Sequence, residues 1–328
     1  MSGSAGLALT MALGLTGMTQ WMVRQSAELE NQMTSVERIV EYSKLESEAE
    51  LESEVPPPED WPQSGRIELR NVYLTYENQP KPTLIDLNFT IKGGEKVGIV
   101  GRTGAGKSSI LAALFRMHEI VGDIVIDGIN CKTIGLHDLR RKMSIIPQDP
   151  IAFIGSLRKN LDPFDEHSED RIWEVLEEVQ LRDAVNEMPG KLEYQLSESG
   201  GNLSVGQRQL ICLARAILRR NRILVLDEAT ANVDHKTDSL IQRTIRQNFR
   251  DCTVLTIAHR LNTIIDSDRV IVMDAGRVVE FGRPYALLQN NSGMFYKLVK
   301  QMGIQMSSEL MRAAKQASDE TDSTLLQI

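Results

Sequence analysis

The stretch Gly101-Arg-Thr-Gly-Ala-Gly-Lys-Ser108 places three glycines and a lysine in the order G-x-x-x-x-G-K-S. The apolar run Lys96–Val100 precedes it and has the composition of a buried strand. The run Ser109–Phe115 follows it and has the composition of a helix. A strand, a glycine-rich turn and a helix in this order are the context in which the spacing forms a phosphate-binding loop. The sequence therefore predicts an α/β domain built around this turn.

Each residue type in this loop suits contact with a triphosphate. Glycines remove the side chains that would keep phosphate oxygens away from the backbone, and successive N–H groups then form an anion-binding nest at a helix N-terminus. Lys107 offers a point charge to the β and γ phosphates, and the Ser108 hydroxyl suits Mg²⁺. The motif alone predicts that a nucleoside triphosphate binds. A surface turn that matches the spacing by chance is the alternative.

Length and composition describe an ordinary globular protein. The chain has 328 residues, of which 41% are hydrophobic and 25% are charged, which is enough for one large domain and an appendage. Its formal net charge of -8 argues against nucleic acid as the main partner. Cys131, Cys212 and Cys252 have no pair spacing, which disfavours a metal site or a disulfide framework and favours the reducing cytosol.

The N-terminal residues predict a membrane span. Met1–Val23 contains no charged side chain, and a helix of that length would reach roughly 35 Å, enough to cross a bilayer. Trp21 followed by Arg24 is typical of a membrane interface, with the residues that follow in the cytosol. A signal peptide would need a basic n-region, which is missing, and a buried soluble helix is the other alternative.

After Arg24 the sequence predicts a cytosolic extension, a linker, the domain and a tail. Leu29, Met33, Val36 and Val40 recur on one helical face, so the membrane helix is expected to continue; a separate amphipathic helix is the alternative. An acidic run and three prolines follow, which favours a solvated linker. The predicted division is 1–54 for the end of the membrane helix and its extension, 55–65 for the Pro-rich linker, 66–300 for the nucleotide-binding domain and 301–328 for the tail.

The end of the tail carries a short motif. From Ser318 onward the tail is polar, and this part is expected to be disordered. The last residues, Leu326-Gln-Ile328, have the apolar-x-apolar pattern that PDZ domains capture by strand addition. A frayed end without a partner is the favoured alternative for a motif of this length.

Strand and helix patterns surround the phosphate-binding loop. Arg66–Tyr76 alternates apolar and polar residues as a half-exposed strand does, and Leu84–Ile91 is predicted as its hairpin partner. Tyr76 is either an ordinary strand aromatic or a platform on which an adenine ring stacks. Ser144–Gln148 is predicted as a buried strand that ends on a polar Gln148. Phe153–Pro189 has helical patterns without a strand signal, which indicates a helical insertion in an α/β domain.

Two later segments add polar groups to strand and helix ends. Leu203-Ser-Val-Gly-Gln207 leads into a helix, where Ser204 is placed as an N-cap and Gly206 allows close approach of a ligand, so a second anion site is predicted. Arg222–Glu228 is an apolar run typical of a central parallel strand. At its end Asp227 is positioned to hold Mg²⁺ through water, and Glu228 to polarise the attacking water.

These motifs, followed by a buried strand that ends in His259, resemble the nucleotide-binding domain of ABC transporters in their order and spacing. The Leu203–Gln207 element discriminates this family, since other P-loop ATPases lack it. Asn160-Leu-Asp-Pro-Phe164 and Ala258–Ile264 resemble subfamily C, the multidrug-resistance-associated proteins, and in particular their second, C-terminal half. The segment Trp21–Glu41 resembles the end of their last transmembrane helix. The resemblance implies an α/β P-loop NTPase of ABC type, with a mixed sheet core, an antiparallel β subdomain and a helical subdomain, preceded by one long transmembrane-to-cytosol helix.

The resemblance also implies a role for each motif residue. The residues implied to bind ATP are Tyr76, Gly101, Arg102, Thr103, Gly104, Ala105, Gly106, Lys107, Ser108, Ser109 and Gln148. Those implied to hold Mg²⁺ are Ser108, Gln148 and Asp227, and those implied to be catalytic are Lys107, Glu228 and His259. The signature residues, implied to act on ATP held by a partner domain, are Leu203, Ser204, Val205, Gly206 and Gln207. Asp234 is implied to close the D-loop across the same interface.

The function implied is the ATPase half of an exporter of organic anions or drugs, with ATP and Mg²⁺ as cofactors. The implied partners are the lipid bilayer, transmembrane domains and a first nucleotide-binding domain of the same transporter, or a second copy; the ATPase domain lies in the cytoplasm, at the plasma membrane. An ATP-gated channel or channel regulator and an inactive truncated fragment are alternatives. A soluble ABC ATPase acting on DNA or ribosomes is disfavoured by the acidic chain. Val205 stands where the signature usually has glycine, which predicts a weaker site for the partner's ATP.

Overall fold

The structure of the protein, a computed structural model, describes residues 2–45, 47–77, 79–227, 233–258 and 260–325. It divides into two compact units, Met1–Ala49 and Glu50–Ile328. The first unit is a single helix, α1 (Ser2–Ser43), with exposed side chains. Within the described ranges, no helix combines enough length with enough apolarity to cross a membrane. Helix α1 mixes glycine, serine and threonine with its leucines, and the span over Met1–Val23 stays a prediction.

The second unit contains all the strands and the remaining helices of the described part. The strands are β1 (Ile67–Leu74), β2 (Leu84–Ile91), β3 (Lys96–Gly101), β4 (Ile120–Ile126), β5 (Ile129–Asn130), β6 (Met143–Ile146), β7 (Gly155–Ser156), β8 (Gln195–Leu196), β9 (Ile223–Asp227), β10 (Thr253–Ile257), β11 (Arg269–Asp274) and β12 (Arg277–Gly282). The helices are α2 (Lys107–Leu114), α3 (Leu136–Arg141), α4 (Leu157–Leu161), α5 (Glu169–Glu178), α6 (Arg182–Glu187), α7 (Val205–Arg219), α8 (His235–Asn248), α9 (Pro284–Gln289), α10 (Met294–Lys300) and α11 (Ile304–Leu325).

The central sheet has six strands in the order β12-β11-β3-β10-β9-β6. All neighbours are parallel except β11 and β12, which are antiparallel. Its inner strands are apolar on both faces, as in β9, because a parallel sheet is covered on both sides. The carboxyl ends of β3, β10, β9 and β6 meet at one edge of the sheet. The predicted mixed sheet core is confirmed, and this edge carries the candidate site.

A separate antiparallel sheet of order β2-β1-β4-β5 forms the β subdomain. Here β1 alternates buried and more exposed positions, as its sequence predicts. It pairs with β2 from Ile67–Ile91 to Leu74–Leu84, which confirms the predicted hairpin. The inner face packs with α2 in one hydrophobic cluster that includes Ile110 and Leu114.

The helical subdomain is inserted between β6 and β9 and consists mainly of α4, α5, α6 and α7. Its core joins Val175, Leu176 and Leu213, all fully buried. The predicted helical insertion is confirmed, with one correction: Gly155–Ser156 pairs with Gln195–Leu196 as a two-stranded sheet. Two-residue strands are too short to produce a period-two pattern in the sequence.

The segment before β1 is largely exposed, and a few long-range contacts attach it to the domain. Leu136 N donates to Glu50 O over 3.0 Å, and Ser53 N donates to a carboxylate oxygen of Asp138 over 3.1 Å. Trp61 is only 4% exposed, and its indole N–H donates to Ile126 O over 3.0 Å. The sequence predicted a linker because acidic residues and prolines dominate the stretch. Contacts between residues far apart in the chain cannot be predicted from composition.

The C-terminal helices α9 to α11 cover one flank of the central sheet. Phe295 and Val299 of α10 pack with Leu310 and Ala314 of α11 in a third hydrophobic cluster. Helix α11 continues to Leu325, so the polar tail is helical where disorder was predicted. The predicted PDZ motif, residues 326–328, lies outside the described residues.

Candidate nucleotide site

The phosphate-binding loop connects β3 to α2 and forms an open cradle. A Cβ added to Gly101 would lie 2.3 Å from Met273 O of β11, so only glycine fits there. Gly104 has φ +79, and no atom lies within 4 Å of where its Cβ would be. Glycine is therefore required at Gly104 by the left-handed backbone, which other residues rarely adopt. Space above the loop stays free, as a phosphate chain would need.

Lys107 is the first residue of α2 and is only 6% exposed. Its Nζ donates to Gly101 O over 3.0 Å and to Arg102 O over 3.2 Å. The loop thus holds a buried cation with its own carbonyl oxygens. The Lys107 ammonium therefore lies within the loop that the sequence predicts for the triphosphate. Charged phosphate oxygens would be stronger hydrogen-bond acceptors for it than neutral carbonyl oxygens.

The other predicted loop residues divide into exposed and buried positions. The exposed ones are Arg102, Thr103, Gly104 and Ser108, and the buried ones are Ala105, Gly106 and Ser109. Ser108 therefore presents its hydroxyl at the surface of the cradle. Ser109 turns inward, where its hydroxyl accepts a hydrogen bond from Tyr76.

Tyr76 follows β1 and packs beside the start of α2. Its phenol donates to Ser109 Oγ over 3.0 Å. Its ring meets that of His118 edge-on, with 4.7 Å between ring centroids and an interplanar angle of 78°. The predicted adenine platform is therefore tied directly to the helix of the phosphate-binding loop. Sequence reasoning left His118 unassigned, because an isolated exposed histidine carries no periodic signal.

The predicted metal residues lie at the same edge of the central sheet. Asp227 ends β9, opposite Ile257 of β10. Gln148 is exposed and comes two residues after β6, whose last residue, Ile146, pairs with Leu226. The carboxyl end of β3, which carries the loop, lies on the other side of β10. The structure thus brings Gln148 and Asp227 to neighbouring strand ends.

This donor set suits Mg²⁺ better than a transition metal. In the described part of the chain, no three or more His, Cys, Asp or Glu side chains are grouped to hold a metal ion. Mg²⁺ needs no such cage, since it is typically bound by one or two carboxylates together with water and substrate phosphates. The hydroxyl of Ser108, the amide of Gln148 and the carboxylate of Asp227 match that preference. The predicted catalytic residues Glu228 and His259 lie outside the described residues.

The signature residues form the start of α7 in the helical subdomain. Ser204 Oγ accepts from Gln207 N over 3.1 Å, and Ser204 N donates to Gln207 Oε1 over 2.9 Å, which is a complete capping box. Leu203 is buried and Val205 is 37% exposed. A Cβ on Gly206 would be 3.5 Å from Thr237, an ordinary contact. The internal packing of the chain therefore does not require glycine at Gly206.

Asp234 precedes α8 and acts as its N-cap. Its carboxylate accepts from Lys236 N over 3.1 Å and from Thr237 N over 3.0 Å. The hydrogen bond from the Thr237 backbone is the main cause that lowers the pKa of Asp234 from its usual value. Within the chain this residue has a local structural role, and the predicted contact across an interface stays a prediction.

Comparison with known proteins identifies the family. A model of the ABC transporter family matches residues 84–231. The sub-family C member 4 ATP-binding cassette protein of Mus musculus is 59% identical over 315 residues, which cover 96% of this chain and 24% of the relative. The chain belongs to the ABC transporter family. The Homo sapiens protein of the same name is 58% identical over the same shares of the two chains, and the predicted resemblance to subfamily C is confirmed.

A solved structure supports the same assignment. The structure described as a bacterial Atm1-family ABC exporter with ATP bound aligns with a TM-score of 0.74 and 28% identity, over 84% of this chain and 48% of that chain. The predicted fold of an ABC-type P-loop domain is confirmed, and the chain contains a domain of the ABC transporter family. The chain spans only 24% of the curated relatives named above.

Two polar residues of α7 were missed by sequence reasoning. Gln209 and Arg215 are directed at the backbone of the segment that carries Gln148, with Gln209 Nε2 3.1 Å from Pro147 O and Arg215 Nη1 2.7 Å from Ile151 O. The polar and apolar pattern of α7 is equally compatible with surface positions for both residues. Only the tertiary contact distinguishes them.

Proposed function

We propose that this chain is the ATP-binding and ATP-hydrolysing part of an ABC exporter, in which hydrolysis drives the export of organic anions or drugs across a membrane. The observation that carries the proposal is the buried Lys107 in its glycine cradle, at the sheet edge that also carries Gln148 and Asp227. The relatives in subfamily C and the exporter with the matching fold support it.

Each predicted site residue has a role in this proposal. The phosphate-binding loop and Lys107 hold the triphosphate, while Tyr76 stacks on the adenine. Mg²⁺ supplies charge neutralisation on the phosphates when bound, held by Ser108, Gln148 and Asp227. Glu228 orients and polarises the attacking water, and His259 stabilises the γ-phosphate.

The signature at the start of α7 is proposed to serve a partner's nucleotide. Its capped, exposed helix N-terminus offers N–H donors to an anion, and Gly206 keeps the approach open. The partner is the other nucleotide-binding domain of one transporter, or a second copy, with Asp234 at the shared interface. We assign 66–300 to the nucleotide-binding domain and 301–328 to the tail. Transmembrane domains in the plasma membrane complete the proposed transporter.

Removing the charge of Lys107 tests the nucleotide site. We expect Lys107→Ala to weaken ATP binding by the full chain about 10-fold to 100-fold, because a charge-assisted contact worth roughly 1.5–3 kcal/mol is lost. Titration calorimetry measures the affinity, and Lys132→Ala, at an exposed lysine, is the matched control. Equal affinity in both variants would remove the basis of the proposal.

A second variant separates binding from turnover. We expect Glu228→Gln to bind ATP as the wild type does and to abolish hydrolysis in the full transporter, since the amide cannot polarise the attacking water. Phosphate release under saturating ATP measures turnover. Undiminished hydrolysis would contradict the role given to Glu228 while leaving the binding site intact.

A further inference from the structure

The segment that carries Gln148 has its main-chain anchors in the helical subdomain. It leaves the central sheet at Ile146 and runs irregularly to Gly155. Pro147 O, immediately before Gln148, accepts from Gln209 Nε2 over 3.1 Å. Ile151 O, on the other side of Gln148, accepts from Arg215 Nη1 over 2.7 Å. Both donors belong to α7, the helix that begins with the signature.

Arg215 donates mainly to this segment and its continuation, with one further long contact to Cys212 Sγ over 3.9 Å. Besides Ile151 O, it donates to the backbone and side-chain oxygens of Asn160, with 2.9 Å from Nη2 to Asn160 Oδ1. Among the described residues, no carboxylate forms an ion pair with it. Burial lowers the pKa of Arg215, yet an arginine stays cationic. A half-buried cation whose short hydrogen bonds all go to these oxygens restrains their positions.

Asn160 extends the same anchoring to Phe153. Its Oδ1 accepts from Phe153 N over 2.8 Å, and its Nδ2 donates to Phe153 O over 2.9 Å. The Phe153 ring lies under the Arg215 guanidinium, 5.6 Å from Cζ to the ring centroid. The chain between Pro147 and Phe153 is therefore held at its start, middle and end by the helical subdomain.

Gln209 is the contact nearest to Gln148. It is 1% exposed, and while its Nε2 reaches Pro147 O, its Oε1 is buried without a hydrogen-bond partner. A buried amide with one unsatisfied atom is a cost to stability, and an apolar side chain of the same length would avoid it. Folding alone therefore does not account for glutamine at this position, whereas its hydrogen bond to Pro147 O, next to Gln148, does.

We propose that Gln209 and Arg215 are positioning residues for Gln148. They fasten the chain on both sides of Gln148, at Pro147 and Ile151, to the signature helix α7 and so hold the Gln148 side chain where it contacts Mg²⁺. Gln209 lies two residues after Gln207 in the same helix. The signature and the two donors to the segment of Gln148 therefore belong to one helix. The inference rests on the proposed function, in which Gln148 contacts Mg²⁺ beside ATP.

The test measures how ATP binding by the full chain depends on Mg²⁺. We expect Gln209→Met to raise the Mg²⁺ concentration for half-maximal enhancement of ATP binding about tenfold, as loss of a residue that orients a metal ligand typically does, while ATP affinity without Mg²⁺ stays unchanged. Gln148→Ala should produce the same shift. In the double variant the shifts should not add, because both changes break one linkage.

Controls separate this role from a structural one. Gln209→Met removes an unsatisfied oxygen together with the donor, so its thermal unfolding is expected to match that of the wild type, and Arg219→Met, exposed on the same helix, should shift nothing. A shift in Gln148→Ala but none in Gln209→Met would overturn the proposal alone. No shift in Gln148→Ala would overturn the role of Gln148, and with it the proposal, while ATP binding that depends on Lys107 would still support the nucleotide site.

Discussion

At the scale of single residues, Tyr76 joins the adenine side of the proposed site to its phosphate side. Its hydroxyl donates to Ser109 Oγ, two residues after Lys107, and its ring packs partly against the core. A hydrogen bond that fixes the ring relative to the loop reduces the ordering cost when a base stacks on it. The hydroxyl and the ring thus contribute separately, and substitution can distinguish them.

We expect Tyr76→Ala to weaken ATP binding about tenfold, because stacking of a base on an aromatic ring contributes roughly 1–3 kcal/mol. Tyr76→Phe keeps the ring and loses only the bond to Ser109, so its loss should be smaller, about twofold to fivefold for a hydrogen bond of roughly 0.5–1 kcal/mol. Titration with ATP and with inorganic triphosphate measures both effects. The triphosphate should bind all variants alike, with Tyr73→Ala as control; a loss shared by ATP and triphosphate would contradict the adenine platform.

The sequence could predict those site residues whose role follows from neighbours within a few positions along the chain. The glycines around Lys107 and the Ser204 cap follow from backbone geometry within a few residues, and geometry of this kind is written in the spacing. His118, Gln209 and Arg215 were missed because each acts on a segment distant in sequence. Their contacts arise from packing, which single-sequence patterns do not encode.

At the scale of elements, the buried strands and long helices were predicted, and the points that attach the segment before β1 to the domain were not. Strand β9 has four consecutive apolar residues, and its burial on both faces follows from that run. The segment up to Gly65 is acidic and proline-rich, yet Asp127, in the turn between β4 and β5, fixes its end. The Asp127 carboxylate accepts from the backbone N of Ser64, Gly65 and Arg66 over 2.8, 2.9 and 2.8 Å.

Asp127 predicts a pH dependence of stability. Burial alone would raise the pKa of Asp127, but the Ser64 hydroxyl and the three backbone amides together lower the pKa below its usual value. A depressed pKa in the folded state stabilises the protein above the unfolded pKa, and this contribution is lost as the pH falls through the folded pKa. We expect Asp127→Asn to lower the free energy of unfolding at pH 7 by about 1–3 kcal/mol.

The difference between wild type and Asp127→Asn should shrink as the pH falls below the unfolded pKa of about 4. Urea unfolding at pH 7, 5 and 3 measures it, and Asp251→Asn, at an exposed aspartate, should change stability little at any of these values. A difference that stays constant from pH 7 to pH 3 would mean that the carboxylate charge is not what holds the segment before β1.

At the scale of the whole molecule, each nucleotide site of the proposed exporter is shared between two domains. The cradle around Lys107 is open, and the signature of the same chain belongs to the helical subdomain, where it caps α7. In this proposal the chain carries complementary halves of two sites. If a second copy serves as the partner, ATP should bring two chains together through the signature.

Gly206 allows that association to be tested without disturbing the fold. A Cβ at Gly206 would meet Thr237 at 3.5 Å, an ordinary contact, and alanine is favoured over glycine within a helix by about 1 kcal/mol, so Gly206→Ala should be as stable as the wild type. Its Cβ would nevertheless separate the helix N-terminus from the partner's phosphates. We expect ATP-dependent association of Glu228→Gln chains, measured by sedimentation, to weaken severalfold when Gly206→Ala is added.

Substitution of Val205 should have the opposite effect on association at the same interface. Its side chain is 37% exposed at the position where the signature usually has glycine, so Val205→Gly should strengthen the association that Gly206→Ala weakens. Gly201→Ala, which adds a Cβ at ordinary contact distance just before the signature, is the matched control and should leave association unchanged. If Val205→Gly and Gly206→Ala behave like Gly201→Ala, the signature does not bind the nucleotide of a second copy, and the partner domain must be a different chain segment.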